Sequence, residues 1–259
     1  MKDDEGLESY YVHGKDNIPF HTVIYPAWIG SLKQDIQLPK HIISSEYINL
    51  NDEKMSKSKG NFKSAMELVS NFEADTIRFY ILFINPENKD SNFSMNDMIL
   101  CHNKFLCGGF GNFVNRNLSF IKKQFAGVIP SGVIDSKVLD VTKSMYDNIG
   151  KKISKGELRD TISLMIEYIQ FANRYYDESS PWLLVKSNIN AFNNVTASCI
   201  LIIANMANLF APVLPDACKK LQEKLHMEQL CWKPYFPKDG LVLQNVDILY
   251  NKIGTSPVK

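Results

Sequence analysis

Three lysines and two serines fall within six residues at Lys54-Met55-Ser56-Lys57-Ser58-Lys59, and Gly60-Asn61 comes directly after. A lysine ammonium is a compact charge on a flexible stem, so it can track negative charge as it builds on a departing phosphate group. Serine hydroxyls and backbone N–H groups can hold the remaining oxygens. The Gly-Asn pair suits a loop rather than a helix. Stabilising a leaving polyphosphate is the chemistry this composition fits. A solvated basic turn would read the same way, so the surrounding elements have to separate the two.

Those elements differ along the chain. Residues 1–61 carry short apolar runs broken by turn residues. Tyr10-Tyr11-Val12 reads as a buried strand, and Gly14-Lys15-Asp16 as a polar turn. A helix is expected from about Pro19 to Leu32, then strand pieces at His41-Ile42-Ile43 and Tyr47-Ile48-Asn49-Leu50, with Asn51-Asp52 turning the chain into the lysine-rich loop. Strand, helix, strand is the order of an α/β sheet. Residues 62–100 read as a connecting helical segment, with helices at Ala65 to Phe72 and Ala74 to Phe83 and a turn at Asn85-Pro86-Glu87-Asn88. From about Asn96 the chain is nearly all helical. Leu106, Phe110, Phe113, Val114, Leu118 and Ile121 recur at steps of three and four. Further helices are expected over 136–153, 157–176, 190–210 and 216–226, with Pro215 in the first turn of the last. Antiparallel helices with short loops make residues 101–259 a bundle.

Composition narrows the function classes. Of 259 residues, 45% are hydrophobic and 22% charged, which predicts a packed core. The formal net charge is +1, so any footprint for nucleic acid has to be local. Five cysteines have no C-x-x-C spacing and no histidines at zinc-finger intervals, so buried reduced thiols are expected and a zinc site is not. The N-terminus is acidic and polar, unlike a signal peptide. The most apolar window, Cys199 to Ala204, runs into Asn205 and Asn208, too short and interrupted for a bilayer. A cytoplasmic protein without a membrane partner is the expectation.

Lys54 to Ser58 also matches, letter for letter, the signature loop of class I aminoacyl-tRNA synthetases. That loop is shared across the class, and neighbouring residues narrow it. Gly14-Lys15-Asp16-Asn17-Ile18-Pro19-Phe20-His21, with Tyr25-Pro26 downstream, resembles the methionyl pattern G-K-D-[IN]-x-x-F-H. Phe72-Glu73-Ala74-Asp75-Thr76-Ile77-Arg78-Phe79-Tyr80 resembles the same branch's F-x-x-D-x-[LI]-R-[YF]-Y helix; the leucyl, valyl and isoleucyl enzymes usually have glycine where Glu73 stands. The similarity continues through Gly111-Asn112-Phe113-Val114-Asn115-Arg116, Ala172-Asn173-Arg174-Tyr175, Ser180-Pro181-Trp182, Ala211-Pro212-Val213-Leu214-Pro215 and Leu249-Tyr250-Asn251-Lys252-Ile253.

The resemblance implies a fold and a set of sites. The fold is the C-terminal half of a Rossmann-like α/β nucleotide-binding domain followed by a helical anticodon-binding domain. Lys15, Asp16, Lys54, Ser56, Lys57 and Ser58 would bind ATP, with Lys54 and Lys57 stabilising pyrophosphate and Lys57 foremost. His21 and Tyr25, four residues apart, would flank the methionine side chain, where an aromatic ring suits a polarisable thioether. Without the resemblance, both read as ordinary boundary residues. Asn112 and Arg116 share a polar helix face with Gly109, Ser119 and Lys123. That face is solvated by default, but it could present amide and guanidinium groups to a single-stranded loop. Pro181 and Trp182 would complete the anticodon site, Trp182 as a stacking platform rather than a packing residue. The substrates implied are methionine, tRNA(Met) and ATP, the last with Mg2+.

One part of the family pattern is missing. The five histidines, at 13, 21, 41, 102 and 226, form no H-x-G-H signature, and the first nucleotide-binding strand and zinc-bearing insertion are absent. The resemblance begins near Tyr10, in mid-domain. An adenylate site forms where strand order reverses between two halves of such a fold, so residues 1–61 are expected to be catalytically incompetent alone. They should also leave an apolar face open to the missing N-terminal half. The competing expectation is a non-catalytic module that grips tRNA through its helices.

Overall fold

The structure is a computed structural model and describes residues 8–32, 38–50, 52–56, 61, 63–243 and 245–254. The chain divides into two units: residues 1–63 with 84–94, and residues 64–83 with 95–259.

In the first unit, β1 (Tyr10–Gly14) pairs in parallel with β2 (His41–Ser45), Tyr10 opposite His41 and Gly14 opposite Ser45. Parallel strands need a crossover, and a helix supplies it. A π-helical turn over Phe20–Ile24 runs straight into α1 (Tyr25–Ser31), where the expected helix lies. A second sheet has β3 (Ile48–Leu50) between antiparallel β4 (Glu53–Lys54) and parallel β5 (Ser91–Phe93). Asp52, in the left-handed region at φ 65°, turns the chain between β3 and β4; aspartate tolerates that region better than most residues.

Two expectations change here. β1 is a strand, but Tyr10 and Val12 are exposed, Val12 by 69%, rather than buried. Among the described residues β1 has one strand neighbour, β2, and on its outer face the Tyr10 ring is stacked only on His41, at 4.2 Å. The segment 62–100 is also not helical throughout. Residues 84–94 return to the first unit and add β5, which is only three residues long and so gives almost no periodic signal.

The second unit begins with α2 (Ala65–Asn71) and α3 (Ala74–Phe83). Ser64 caps α2 through the Met66 N–H at 3.2 Å. The first long helix is one continuous rod with a change of pitch: α4 (Met95–Cys101), a π-helical stretch over His102–Gly111, then α5 (Asn112–Phe125). A Cβ on Gly109 would stand 3.0 Å from the Ile169 side chain, so glycine there permits close approach of a neighbouring helix. That neighbour is α7 (Leu158–Ser179), the helix after α6 (Ser136–Lys155). Gly156, at φ 74°, ends α6 in the left-handed conformation usual for a helix C-terminus. The short α8 (Pro181–Ser187) leaves no visible period in the sequence. After it come α9 (Ile189–Phe210) and α10 (Pro215–Lys224), which has Pro215 in its first turn as expected.

The core of this unit is α9, buried continuously from Thr196 to Phe210 and packed by α5, α6, α7, α8 and α10. By length and composition α9 could cross a bilayer, but those residues lie inside the bundle. Cys101, Cys199 and Cys218 are buried free thiols, and burial pushes Cys101 up to about 12. Asn205 and Asn208, which interrupt the apolar run, clamp the returning chain. Asn205 accepts from the Tyr146 hydroxyl and the Tyr235 N–H and donates to the Tyr235 carbonyl, each at 2.8 Å. Asn208 accepts from the Cys231 N–H and donates to the Lys233 carbonyl, both at 3.1 Å.

Candidate functional site

Parallel strands send their outgoing segments to the same edge of a sheet. Gly14 and Ser45 are register partners at the carboxyl ends of β1 and β2. Lys15-Asp16 and Glu46-Tyr47 therefore emerge side by side, at the end where α/β sheets bind ligands. Lys15 Nζ ion-pairs with Glu46 and lies 3.5 Å from Asp90. The Tyr47 hydroxyl donates to Asp16. Asp90 Oδ1 accepts the Tyr47 backbone N–H at 3.0 Å. Lys15 Nζ stands 4.4 Å from the Tyr47 ring centroid, and Lys54 Nζ, arriving on β4, stands 4.6 Å from it. Lys15, Asp16, Lys54 and Asp90 are thus coupled through one tyrosine.

Electrostatics reflect these contacts. Hydrogen bonding to Glu46, assisted by the Asp90 charge, holds Lys15 protonated above its ordinary range. Donation to Asp16 keeps the Tyr47 phenol above its usual value. The Tyr47 backbone N–H, with Lys15, holds the Asp90 carboxyl below the usual carboxylate range.

Lys15, Asp16 and Lys54, each singled out from sequence, come together here. Ser56 lies just beyond β4, its N–H bonded to the Asn61 carbonyl at 2.8 Å. Lys57 and Ser58 lie outside the described residues. Glu46, Tyr47 and Asp90 are additions that sequence reasoning misses. Tyr47 reads as a strand residue, and Asp90 stands directly before β5 in no motif.

His21 and Tyr25 also meet, on β1. The Tyr11 ring is 5.5 Å from His21 and 6.1 Å from Tyr25, and His13 stacks on His21 at 4.6 Å with 22° between planes. All four are partly exposed. Alternation along β1 puts Tyr11 and His13 on one face, so a period-two reading of that strand would have found them.

In the second unit, Asn112 is exposed at the start of α5, and Arg116 lies one turn on. Arg116 does not lie on a solvated face. Its Nη1 donates to Asp177 at 2.8 Å and its Nη2 to Asn173 at 3.0 Å, both on α7, and its guanidinium lies 4.5 Å from the Tyr176 centroid. Among the described residues its buried Nε has no hydrogen-bond partner. Ser180, left-handed at φ 45°, ends α7 and starts α8. Pro181 is buried in the first turn, which leaves Trp182 42% exposed with its ring 5.8 Å from Tyr176. Arg116 and Trp182 thus meet on Tyr176. Pro181 itself is buried.

Known proteins resemble both parts of the chain. Residues 1–118 match the family described as tRNA synthetases class I (M), and residues 133–253 match the anticodon binding domain of methionyl tRNA ligase. The methionine–tRNA ligase of Streptococcus pneumoniae (strain CGSP14) is 37% identical over 246 residues, covering 95% of this chain and 45% of that protein. Methionine–tRNA ligase 1 of Alkaliphilus oremlandii (strain OhILAs) is 35% identical over 244 residues, covering 94% and 45%. The crystal structure of Mycobacterium tuberculosis methionyl-tRNA synthetase bound by methionyl-adenylate matches with a TM-score of 0.86 at 23% identity, covering 94% of this chain and 50% of that one. At that identity the structural likeness establishes the fold: part of a nucleotide-binding α/β domain, then a helical bundle. The chain spans about half the length of the relatives it matches. It belongs to the methionyl branch of the class I aminoacyl-tRNA synthetases, of which it carries a C-terminal portion.

Proposed function

We propose that this chain is the C-terminal portion of a cytoplasmic methionine–tRNA ligase. The observation that carries the reading is the convergence of Lys15, Asp16 and Lys54 on Tyr47 at the carboxyl ends of parallel strands. In the reaction, the methionine carboxylate attacks the α-phosphorus of ATP and pyrophosphate leaves. A tRNA terminal hydroxyl then attacks the acyl carbon and AMP leaves. Lys54 and Lys57 stabilise the departing pyrophosphate, and Ser56 and Ser58 take further oxygens. Lys15 and Asp16 shape the nucleotide edge. His21 and Tyr25, backed by Tyr11, hold the methionine side chain. Asn112, Arg116 and Trp182, the last set in place by Pro181, read the unstacked anticodon of tRNA(Met). These functions divide along residues 1–61, 62–100 and 101–259, with residues 84–94 contributing to the first.

Mg2+ has no resident site among these groups. Asp16, Glu46 and Asp90 are already engaged by Tyr47 or Lys15, so a cation would enter with the phosphates of ATP.

The first unit needs a partner. Phe20, Ile24, Trp28 and Leu32, spaced by four along one helix, are exposed, as are Val23 and Val12. A contiguous apolar face of this kind marks an interface. Its proposed occupant is the other half of the nucleotide-binding fold, since the relatives are about twice as long as this chain. That exposed face also favours the second reading, in which the chain by itself only grips tRNA.

Two measurements test the proposal. Calorimetric titration should give tighter binding to tRNA with a CAU anticodon than to tRNA with another; equal affinities would overturn the methionine assignment. Methionine-dependent ATP–pyrophosphate exchange should arise only once the missing half is supplied as a second chain. Exchange by the 259-residue chain alone would overturn the half-site reading.

A further inference from the structure

We infer that Tyr47 is a positioning residue whose ring holds Lys54 ready for phosphate without neutralising it. The inference rests on the proposed phosphate role of the loop and adds a residue that the sequence motif does not contain.

The two lysines on this ring are held differently. Lys15 is ion-paired with Glu46 and Asp90, so carboxylates cancel its charge. Lys54 has no carboxylate within salt-bridge distance among the described residues; its contact is the Tyr47 ring at 4.6 Å. The difference matters for chemistry. A carboxylate partner would order an ammonium group but would have to be displaced before a phosphate could bind. An aromatic quadrupole attracts the cation and leaves its full charge in place. The ring covers one side of the ammonium and leaves the others for an anion, so the side chain stays ordered when phosphate arrives.

Tyr47 is itself fixed on three sides. Its backbone N–H donates to Asp90, its hydroxyl donates to Asp16, and Lys15 lies against its ring. Its backbone carbonyl accepts from the Ser91 N–H at 2.9 Å, where β5 joins β3. A ring held this way is a stable platform at the mouth of the loop.

The test uses the 259-residue chain and inorganic pyrophosphate. In the unmodified chain, NMR should show the Lys54 ε-methylene protons shifted upfield by the ring, and the shift should persist with pyrophosphate bound. Tyr47→Phe should keep both the shift and the affinity to within about twofold. Tyr47→Leu should abolish the shift and weaken pyrophosphate binding about two- to tenfold, because the Lys54 side chain then has to be ordered on binding. Lys54→Ala is the control for the site. No ring shift on Lys54 in the unmodified chain, or a Tyr47→Leu variant that binds as tightly while Lys54→Ala binds weakly, overturns the role of Tyr47 and leaves the phosphate site standing. Pyrophosphate binding that is absent, or unchanged in Lys54→Ala, overturns the phosphate site and the inference with it.

Discussion

The Arg116 guanidinium lies 4.5 Å from the centroid of the Tyr176 ring, and its Nη1 donates to Asp177, the next residue along, at 2.8 Å. One arginine on α5 is therefore fixed to two successive residues of α7, and Asn173 one turn earlier takes a third contact at 3.0 Å. The planar fork of a guanidinium reaches all three groups at once, which an ammonium cannot do. Trp182 packs against the same tyrosine. Helix pairing and the proposed anticodon surface therefore share a residue.

Trp182 is the surface half of that arrangement. Trp182→Ala is expected to weaken binding of CAU-anticodon tRNA by about 1–3 kcal/mol, the usual worth of one stacked base. The indole is 42% exposed and its remainder packs on Tyr176, so a modest fall in the urea midpoint should accompany the loss of binding. Trp182→Phe should retain most of the affinity. Unchanged binding in the alanine variant would reduce Trp182 to a packing residue.

Arg116→Lys tests the other half. It should cost about 1 kcal/mol of unfolding free energy, because one ammonium cannot serve Asp177, Asn173 and the ring together. It should also narrow the affinity gap between CAU and other anticodons. A loss of stability with the gap intact would make Arg116 a strut between α5 and α7 and nothing more.

These residues are visible in the sequence in unequal measure. Arg116 and Trp182 stand in short motifs that can be matched letter by letter. Tyr176 and Asp177 stand in the last turn of a long helix, where a period says which face is buried but not which distant side chain arrives there. The same holds at the proposed nucleotide edge. Lys15 and Lys54 are legible from local composition, whereas Tyr47 and Asp90 gain their roles only through the pairing of β3 with β5, a contact between residues about forty positions apart. Helices α6, α7 and α9 can be placed closely because each runs for twenty residues or more. The seven-residue α8 and three-residue β5 are too short for periodicity to register.

Asn205 reads in the sequence as a polar break in an apolar run, yet it is fully buried. Asn205→Ala would leave the Tyr146 hydroxyl and both backbone groups of Tyr235 without their partner. The expected loss is about 3 kcal/mol or more, since each buried group stranded costs roughly 1–3 kcal/mol. Urea denaturation would measure it. Hydrogen exchange at the Tyr235 amide should accelerate beyond the global change, because the clamp on that segment is what the asparagine supplies. A loss below about 1 kcal/mol would mean that water replaces the side chain.

His102 gives the bundle a defined response to pH. The ring is buried, and its Nε2 lies 2.9 Å from the Asn251 carbonyl oxygen. A carbonyl only accepts, so Nε2 carries the proton. Nδ1, 2.8 Å from Thr76 Oγ1, then accepts from that hydroxyl. Tyr250 presents its ring at 87° and 5.6 Å, and its hydroxyl donates to Asp75 at 3.2 Å. The neutral imidazole is thus satisfied on both nitrogens. Burial holds its pKa below the ordinary 6.5, against the opposing pull of the Asn251 carbonyl and Glu73. The unfolded chain therefore takes up this proton first. Well above pH 6.5 neither state is protonated and the contribution is constant. As pH falls below about 6.5, stability is lost by up to about 1.4 kcal/mol per pH unit, until the native ring also titrates. Asp75 acts in the opposite direction: burial raises its pKa above 3.8, so its stabilising share grows as pH falls. Comparing His102→Gln with the parent removes that background, because a glutamine amide can still donate to Asn251 but does not titrate. Urea midpoints from about pH 7.5 to about 5.5 should fall more steeply in the parent than in the variant, with the curves diverging from about pH 6.5 downward. Parallel curves would mean that the native ring accepts a proton as readily as the unfolded chain, which would require the Thr76 hydroxyl to turn and accept from a protonated Nδ1.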